Sequence, residues 1–488
     1  MARLGALLGL AASAGVVACS GSRSAVPLRN VVLIVVDTLR QDHLKAYGYH
    51  RETAPTLSRL ASEGVLWDGV SPTSWTKPAV ASIFTGLHPV RHQAFDSLDR
   101  LPDEARTLAE RLSRRGYRTL GIAANGWLTR TAGFAQGFDE YYSMVDDLKR
   151  SRFSTGEEVN SELLPRLKGL QPPFFLFVHY LDPHAPYDPV RDHRGWPLLG
   201  RLAARKGGVS IQELRMSEFV ERPPQLVEDA IDLYDAEIRQ VDDAIGDLLG
   251  ELRRLGLMDG TLTVVTSDHG EEMQEHGRMG HGQTLYEEVV RVPLVLHGPG
   301  NLPAGLRLGS ASLLDVAPTI LELLRETVPP GELDGVSLAG GMVPADAAAS
   351  TASPHLAERE LLLHLDLDIG GHALALRGDR LKLVLSQKPF RKELFDHRQD
   401  PREQASQLTG PAGAASMPAL AERLADRYNE LSGRTLPRAT NVAPEKLEAM
   451  AALGYVGAGR SVSIRRVIPD RIRPADPLPD GSLGWPQP

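Results

Sequence analysis

The sequence predicts an α/β fold: a large, mostly parallel mixed sheet sandwiched by helices, followed by a small antiparallel C-terminal subdomain. Three observations carry this. Apolar, β-branched runs such as VVLIVV at 31–36 have no polar face, as expected of strands buried on both sides. Segments with helical apolar periodicity lie between those runs. Beyond residue 354 the rhythm changes to strand-like stretches joined by a tight turn.

The chain has 488 residues, enough for a large core and more than one domain or subdomain. Its 54 basic and 62 acidic residues leave a net charge of −8, which disfavours non-specific nucleic-acid binding, so no nucleic-acid partner is expected. The N-terminus has Arg3, the apolar stretch LGALLGLAASAGVVA, then Cys19 and the polar SGSRS. That is a signal-peptide pattern over 1–18, too short for an ordinary membrane-spanning helix. The run VVAC resembles a bacterial lipobox. Cys19 is then the lipidated residue, and the alternative is a secretory signal with a chance cysteine. Cys19 is the single cysteine, so no intramolecular disulfide forms. Ser20 resembles the outer-membrane sorting default, which implies a body tethered to the outer membrane and facing the periplasm. The lipid anchor is the one membrane contact expected.

Residues 19–29 read as a linker and 30–340 as the catalytic domain. Asn30 leads into the strand Val31–Val36. Thr53–Ser62 suits a helix, with Pro55 in its first turn and Gly64 past its end. The segment SWTKPAVASIFTG, 74–86, suits a helix that begins near Pro78 and ends before Gly86. Ala105–Arg115 suits another, closed by Gly116. FFLFVH, 174–179, is a buried strand. In 226–255, apolar side chains at Ile231, Tyr234, Ile238, Val241, Ile245, Leu248, Leu252 and Leu255 step by three and four, giving one continuous helix face that ends at Gly256. Strands follow at Leu262–Thr266 and Val292–Leu296. A loop rich in Ala, Gly, Ser and Pro spans 340–354. The C-terminal subdomain, 341–457, contains HALALRGDRLKLVLSQ with a turn at Gly378-Asp379 and a packing helix near Leu420–Leu431. Residues 458–488, rich in Pro, Arg and Asp, read as disordered.

Two strand ends carry chemistry. VVLIVVDTLR delivers Asp37, and LTVVTSDHG delivers Asp268 and His269. Residues at the carboxyl ends of strands line the ligand crevice of an α/β sheet, so these three can build a divalent-cation site. Thr76 lies at or near a helix N-terminus, where free N–H groups and the positive dipole end attract a tetrahedral oxyanion. A hydroxyl touching a cation there can ionise and attack phosphorus or sulfur. The competing reading is an ordinary helix start, capped by Ser74.

Together these segments resemble the sulfatase-like branch of the alkaline phosphatase superfamily over most of residues 30–455. VVLIVVDTLR resembles the first metal strand, and TKPAVASIFTG the nucleophile motif aligned on Thr85-Gly86. GYRTLGIAANG (116–126) resembles the next block and FFLFVHYLDPHAPYDP (174–189) the DPH block. SDHGEEMQEHG with GHGQTLYEEVVRVPLVLHGPG resembles the second metal block and its sequel, and KELFDHRQDPREQ the C-terminal motif. The resemblance implies an alkaline phosphatase-like sheet and a metal held by Asp37, Thr76, Asp268 and His269.

The departures bear on the reaction. Formylglycine sulfatases need Cys or Ser in a C-x-P-x-R context, whereas this chain has Thr76 and Val80. The methyl of threonine stands where the oxidation needs a second hydrogen, so no formylglycine forms. Asp37-Thr38 replaces a paired aspartate, Asp268-His269 replaces Asp-Asn, and two substrate-holding lysines are missing, near Ala124 and near His281. An imidazole ligand favours Zn²⁺ or Mn²⁺, with Ca²⁺ or Mg²⁺ left open. One divalent ion is expected.

Among the histidines, His184 in DPHAPY and His276 are the candidate proton donors to a leaving alcohol. His281, between Gly280 and Gly282, is the candidate ligand for the substrate's oxygens. His297 reads as structural. The pairs Glu271-Glu272 and Glu287-Glu288 read as solvated helix faces, and Arg201, Arg205 and Lys206 as an insertion able to overhang the site. The expected function is metal-dependent hydrolysis or transfer of a phosphate ester on a small molecule or envelope component, with Thr76 as nucleophile. The alternatives are a sulfate-ester hydrolase without formylglycine and a lipid-anchored binding protein with an inactive site.

Overall fold

The computed structural model describes residues 26–145, 154–189, 210–214, 218–342, 359–367, 371–387, 390–408 and 410–440. The signal peptide, Cys19, most of the 19–29 linker, the insertion with Arg201, Arg205 and Lys206, most of the 340–354 loop and the 458–488 tail lie outside the described residues. No described helix is long and apolar enough to cross a membrane.

Eight strands make the central sheet: β1 (Asn30–Val36), β2 (Val65–Val70), β3 (Arg118–Ala123), β4 (Glu140–Ser143), β5 (Phe174–Tyr180), β6 (Thr261–Ser267), β7 (Arg291–His297) and β8 (Leu306–Ser312). Their spatial order is β8-β2-β7-β6-β1-β5-β3-β4. Only β7 runs against its neighbours, pairing antiparallel with β6 and β2, so the sheet is mostly parallel and mixed as expected. The fully apolar β1 lies at the centre, between β5 and β6, where both of its faces are covered.

Alternation along the strands splits the core in two. On one face Val32, Ile34 and Val36 pack with α1 (Pro55–Glu63), α4 (Gly156–Leu167) and α5 (Pro224–Arg254). On the other Val31, Leu33 and Val35 pack with α2 (Thr76–Thr85), α3 (Leu108–Ser113) and α6 (Val316–Leu323). The apolar stripe of α5 is buried through Tyr234, Ile238, Val241, Ile245, Leu248 and Leu252, while Ile231 and Leu255 at its ends are partly buried. Each such side chain contributes about 1.5–3 kcal/mol when fully buried.

Element boundaries differ from the sequence pattern for local reasons. α1 begins at Pro55, not Thr53, because proline occupies the first turn. α3 begins at Leu108, not Ala105, because Thr107 caps it in a capping box with Glu110. The sequence pattern does not single out β2, β3, β4 or β8. Asp68 and Gly69 interrupt β2, and β8 is a half-exposed edge strand.

The C-terminal unit is an antiparallel four-stranded meander: β9 (Leu361–Asp366), β10 (His372–Arg377), β11 (Leu381–Gln387) and β12 (Phe390–Asp396). One face packs on α7 (Pro411–Ser432), longer than the expected Leu420–Leu431, through Leu420, Leu424, Tyr428 and Leu431. The other face packs on Trp75 and Trp127. Those two residues flank the segments that carry Thr76 and Asn125.

Candidate active site

The parallel register sets Val36 beside Ser267, so the residues that leave β1 and β6 emerge together. They are Asp37 on one strand and Asp268 and His269 on the other, all fully buried. One ligand atom from each lies within 4.8 Å of the other two. The chain turns sharply after Asp37, with Thr38 at φ 55°, in the left-handed region. Three hydrogen bonds hold that turn. Thr38 N donates to Asp268 Oδ1 at 3.3 Å, Leu39 N to Ser267 Oγ at 2.9 Å, and the Tyr234 hydroxyl of α5 to Thr38 O at 2.7 Å.

Thr76 is the first residue of α2, and its Oγ1 lies 3.2 Å from His269 Nε2. Ser74 does not cap the helix. Trp75 holds the N-cap position, and Ser74 Oγ donates to Thr284 O at 2.7 Å. The start of α2 is anchored by Lys77, whose buried Nζ donates to the carbonyls of Asp96, Ser97 and Asp99 at 2.6, 2.9 and 2.8 Å.

Asn125, at the end of β3, joins this group. Its Nδ2 donates to Asp37 Oδ2 at 2.6 Å and lies 3.4 Å from Thr76 Oγ1. Its Oδ1 accepts from Trp127 N at 2.9 Å, which sets the amide's orientation. Asn125 is adjacent to Ala124, where the sequence resemblance registers a missing lysine, and its position after a strand was the available signal. His179 on β5 also went unnoticed, because it sits within an otherwise apolar run. Its Nε2 is 3.6 Å from Asp37 Oδ2.

His269 Nδ1–H donates to Gly270 O at 2.9 Å, which leaves the Nε2 lone pair for the site. That nitrogen faces Asp268 Oδ2 at 3.5 Å and Asp37 Oδ1 at 3.7 Å as well as Thr76. Asp37 Oδ1 and Asp268 Oδ2 have no hydrogen-bond partner among the described residues. Burial, and then the nearby Asp268 carboxylate, push Asp37 well above the usual carboxylate range. Two buried carboxylates with unpaired oxygens, an imidazole lone pair and a hydroxyl fit a divalent cation.

His281 is beside this cluster. Its ring centroid is 4.4 Å from that of His269 and 5.0 Å from that of His184. Gly280 and Gly282 both have positive φ, so the chain bends on either side of it. His281 Nδ1 contacts Glu271 Oε1 at 2.8 Å, and Tyr187 donates to the other oxygen at 3.1 Å. His184 Nδ1–H donates to Ala185 O at 2.6 Å. Burial lowers His184 and His281 to about 4 and raises Glu271 to about 7, so both imidazoles are neutral at pH 7.

The structure does not bring His276 into this group. Its Nδ1 donates to Glu288 Oε1 at 2.5 Å, its Nε2 donates to Glu403 O at 3.0 Å, and its ring stacks on Tyr286 at 3.7 Å. Burial alone would lower its pKa, but the Glu288 contact outweighs that and holds it up at about 9. Both nitrogens are spoken for, so His276 is a partly buried cation and not a proton donor at Thr76. The two glutamate pairs are not solvated helix faces either: Glu271, Glu272, Glu287 and Glu288 are 0%, 1%, 5% and 8% exposed. Partners replace water at each: His281 and Tyr187 at Glu271, Thr284 at Glu272, His276 at Glu288, and the meander's Arg377 and Lys382 at Glu287.

Glu287, His397 and Glu403 form a second cluster with metal-like spacing. Lys382 Nζ lies 3.0 Å from Glu287 and 3.1 Å from Glu403, and Arg377 lies 2.9 Å from Glu287. Two permanent cations already balance the two carboxylates, so this is an ion-pair network that ties the subdomain to the catalytic body.

The sulfatase family model matches residues 29–326. The chain is 27% identical over 319 residues to a low-salt glycan biosynthesis sulfotransferase of Haloferax volcanii, covering 63% of this chain and 64% of that protein. It is 29% identical over 353 residues to human arylsulfatase A, covering 63% and 66%. The matches therefore span just under two thirds of those relatives' lengths. A phosphonate monoester hydrolase from Silicibacter pomeroyi shares the fold, with a TM-score of 0.64, 21% identity, and coverage of 85% of this chain and 99% of that one.

Proposed function

Because this chain belongs to the sulfatase family, we propose that it is a metal-dependent hydrolase or transferase of phosphate esters that uses Thr76 as its nucleophile. The observation that carries this reading is Thr76 Oγ1, 3.2 Å from His269 Nε2, the nitrogen that also faces the unpaired oxygens of Asp37 and Asp268. Asp37, Asp268 and His269 would hold a divalent cation, which would lower the pKa of an adjacent hydroxyl and offset the charge of a bound anion. Zn²⁺ and Mn²⁺ suit the imidazole-containing set best.

Thr76 Oγ1 attacks phosphorus in line. The new O–P bond forms as the bond to the leaving alcohol breaks, giving a phosphothreonine. Asn125 and the start of α2 orient the attacking oxygen. His184 and His281 are neutral at rest, so whichever of them protonates the leaving alcohol first takes up a proton from solvent, and the proton that leaves Thr76 is released to solvent in exchange. Glu271 orients His281 for that transfer. Water, or an acceptor alcohol, then attacks phosphorus and frees Thr76.

A sulfate ester is the second reading, favoured by the arylsulfatase among the relatives. Threonine supports phosphorus, because it cannot become the aldehyde that formylglycine sulfatases use. Turnover of aryl phosphate diesters, phosphate monoesters and aryl sulfates by the Zn²⁺- or Mn²⁺-loaded protein separates the two. Phosphate-ester turnover is expected to dominate, and robust sulfate turnover with no phosphate turnover overturns the choice. We also propose lipid anchoring through Cys19 to a bacterial envelope, facing the periplasm. Cys19→Ala should move the protein from the membrane fraction to the soluble fraction.

A further inference from the structure

Alternate residues of β5 face the α2 side of the sheet, where Phe175 and Phe177 are part of the apolar core. His179 is next in that series. It is paired in register with Val35, two residues before Asp37, and is fully buried. A third apolar residue would continue the pattern. The imidazole instead has both nitrogens without a hydrogen-bond partner among the described residues. Leaving a buried polar group without a partner is unfavourable, so its retention needs a reason. Asp37 Oδ2, 3.6 Å from His179 Nε2, supplies one. That gap is a little longer than a hydrogen bond. The same oxygen accepts Asn125 Nδ2 at 2.6 Å, leaving Asp37 Oδ1 to face His269 and Asp268.

We propose that His179 is a positioning residue for the divalent-cation site, donating from Nε2 to Asp37 Oδ2 and thereby presenting Asp37 Oδ1 to the ion. The inference rests on the reading of Asp37 as a metal ligand. Two donors, Asn125 and His179, then hold the outer oxygen of one carboxylate, and the inner oxygen stays aimed at the cation. Partners of this kind typically alter metal affinity by about 10- to 100-fold.

The experiment measures Zn²⁺ and Mn²⁺ affinity of the apoprotein by competition with a fluorescent chelator, for wild type, His179→Phe and His179→Gln. Thermal midpoints of the metal-free proteins are recorded alongside. Phenylalanine matches the apolar series on that face, so the metal-free His179→Phe protein should melt no lower than wild type while binding the ion about 10- to 100-fold more weakly. His179→Gln keeps an N–H donor and should recover part of that loss. Affinity of His179→Phe within twofold of wild type overturns the inference and leaves the metal reading standing. A lowered metal-free midpoint that accompanies the affinity loss, with no recovery in His179→Gln, overturns it in favour of a packing role. No binding of either ion by wild type overturns the metal reading, and this inference with it.

Discussion

Replacing Asn125 by alanine tests how the candidate nucleophile and the first carboxylate are held together. The side chain is 1% exposed, and its amide makes one short bond, 2.6 Å to Asp37 Oδ2, and one long contact, 3.4 Å to Thr76 Oγ1. Hydrogen bonds to charged groups contribute about 1.5–3 kcal/mol, and the long contact adds little. At about 1.36 kcal/mol per tenfold, the loss corresponds to roughly a 10- to 150-fold change. His179 Nε2, at 3.6 Å, remains beside the orphaned oxygen and keeps the effect toward the lower end. The assay is kcat/KM on an aryl phosphate at saturating metal, with cation affinity measured in parallel. Trp127 N also loses its acceptor in this variant, so the thermal midpoint is the control for local unfolding. Asn125→Asp should be worse than Asn125→Ala, because it sets a further carboxylate against a buried one. If both variants retain kcat/KM and cation affinity within twofold at an unchanged midpoint, the amide does not organise the site and the reasoning fails.

Thr76→Ala should reduce turnover of every ester by about a thousandfold or more, and Thr76→Ser should restore much of it, since serine keeps the hydroxyl; turnover by Thr76→Ala at more than a tenth of the wild-type rate excludes Thr76 as nucleophile. For His276 the folded value of about 9 exceeds the usual 6.5 of a histidine, so its contribution to stability is complete below pH 6.5 and disappears as pH rises through 9. Glu288 is itself raised by burial, which makes the pair worth less than the histidine's shift alone suggests. His276→Asn should therefore lose about 1–3 kcal/mol at pH 6 and much less at pH 10, read by denaturant unfolding at both pH values. An equal loss at both would mean the imidazole is neutral in the fold. Lys382→Met removes a fully buried cation from between Glu287 and Glu403, and should cost about 3–5 kcal/mol by the same measurement. Chelation should lower the thermal midpoint of the loaded protein and leave that of Asp268→Asn nearly unmoved, because an ion that binds only the folded state stabilises it by mass action.

Local sequence determined much of this molecule. Periodicity marks β1, β5, β6 and α5 because whether a segment is buried on one side or two depends on its own residue pattern. Asp37, Asp268, His269 and Thr76 could be singled out because strand ends and helix starts are themselves local features. Asn125 and His179 could not, although both lie on or just past strands. Alternation assigns His179 to a face but does not say that the end of that face meets Asp37. His276, expected as a proton donor, and Glu271 and Glu287, expected on solvated faces, misled for the same reason. Their partners are set by the fold: Glu288 for His276, His281 and Tyr187 for Glu271, and the meander's Arg377 and Lys382 for Glu287. Strand order, set by packing across 230 positions of chain between Thr38 and Asp268, decided which polar atoms face one another. Burial then decided which of them stay charged, because the cost of removing a group from water depends on everything around it and not on its neighbours in sequence.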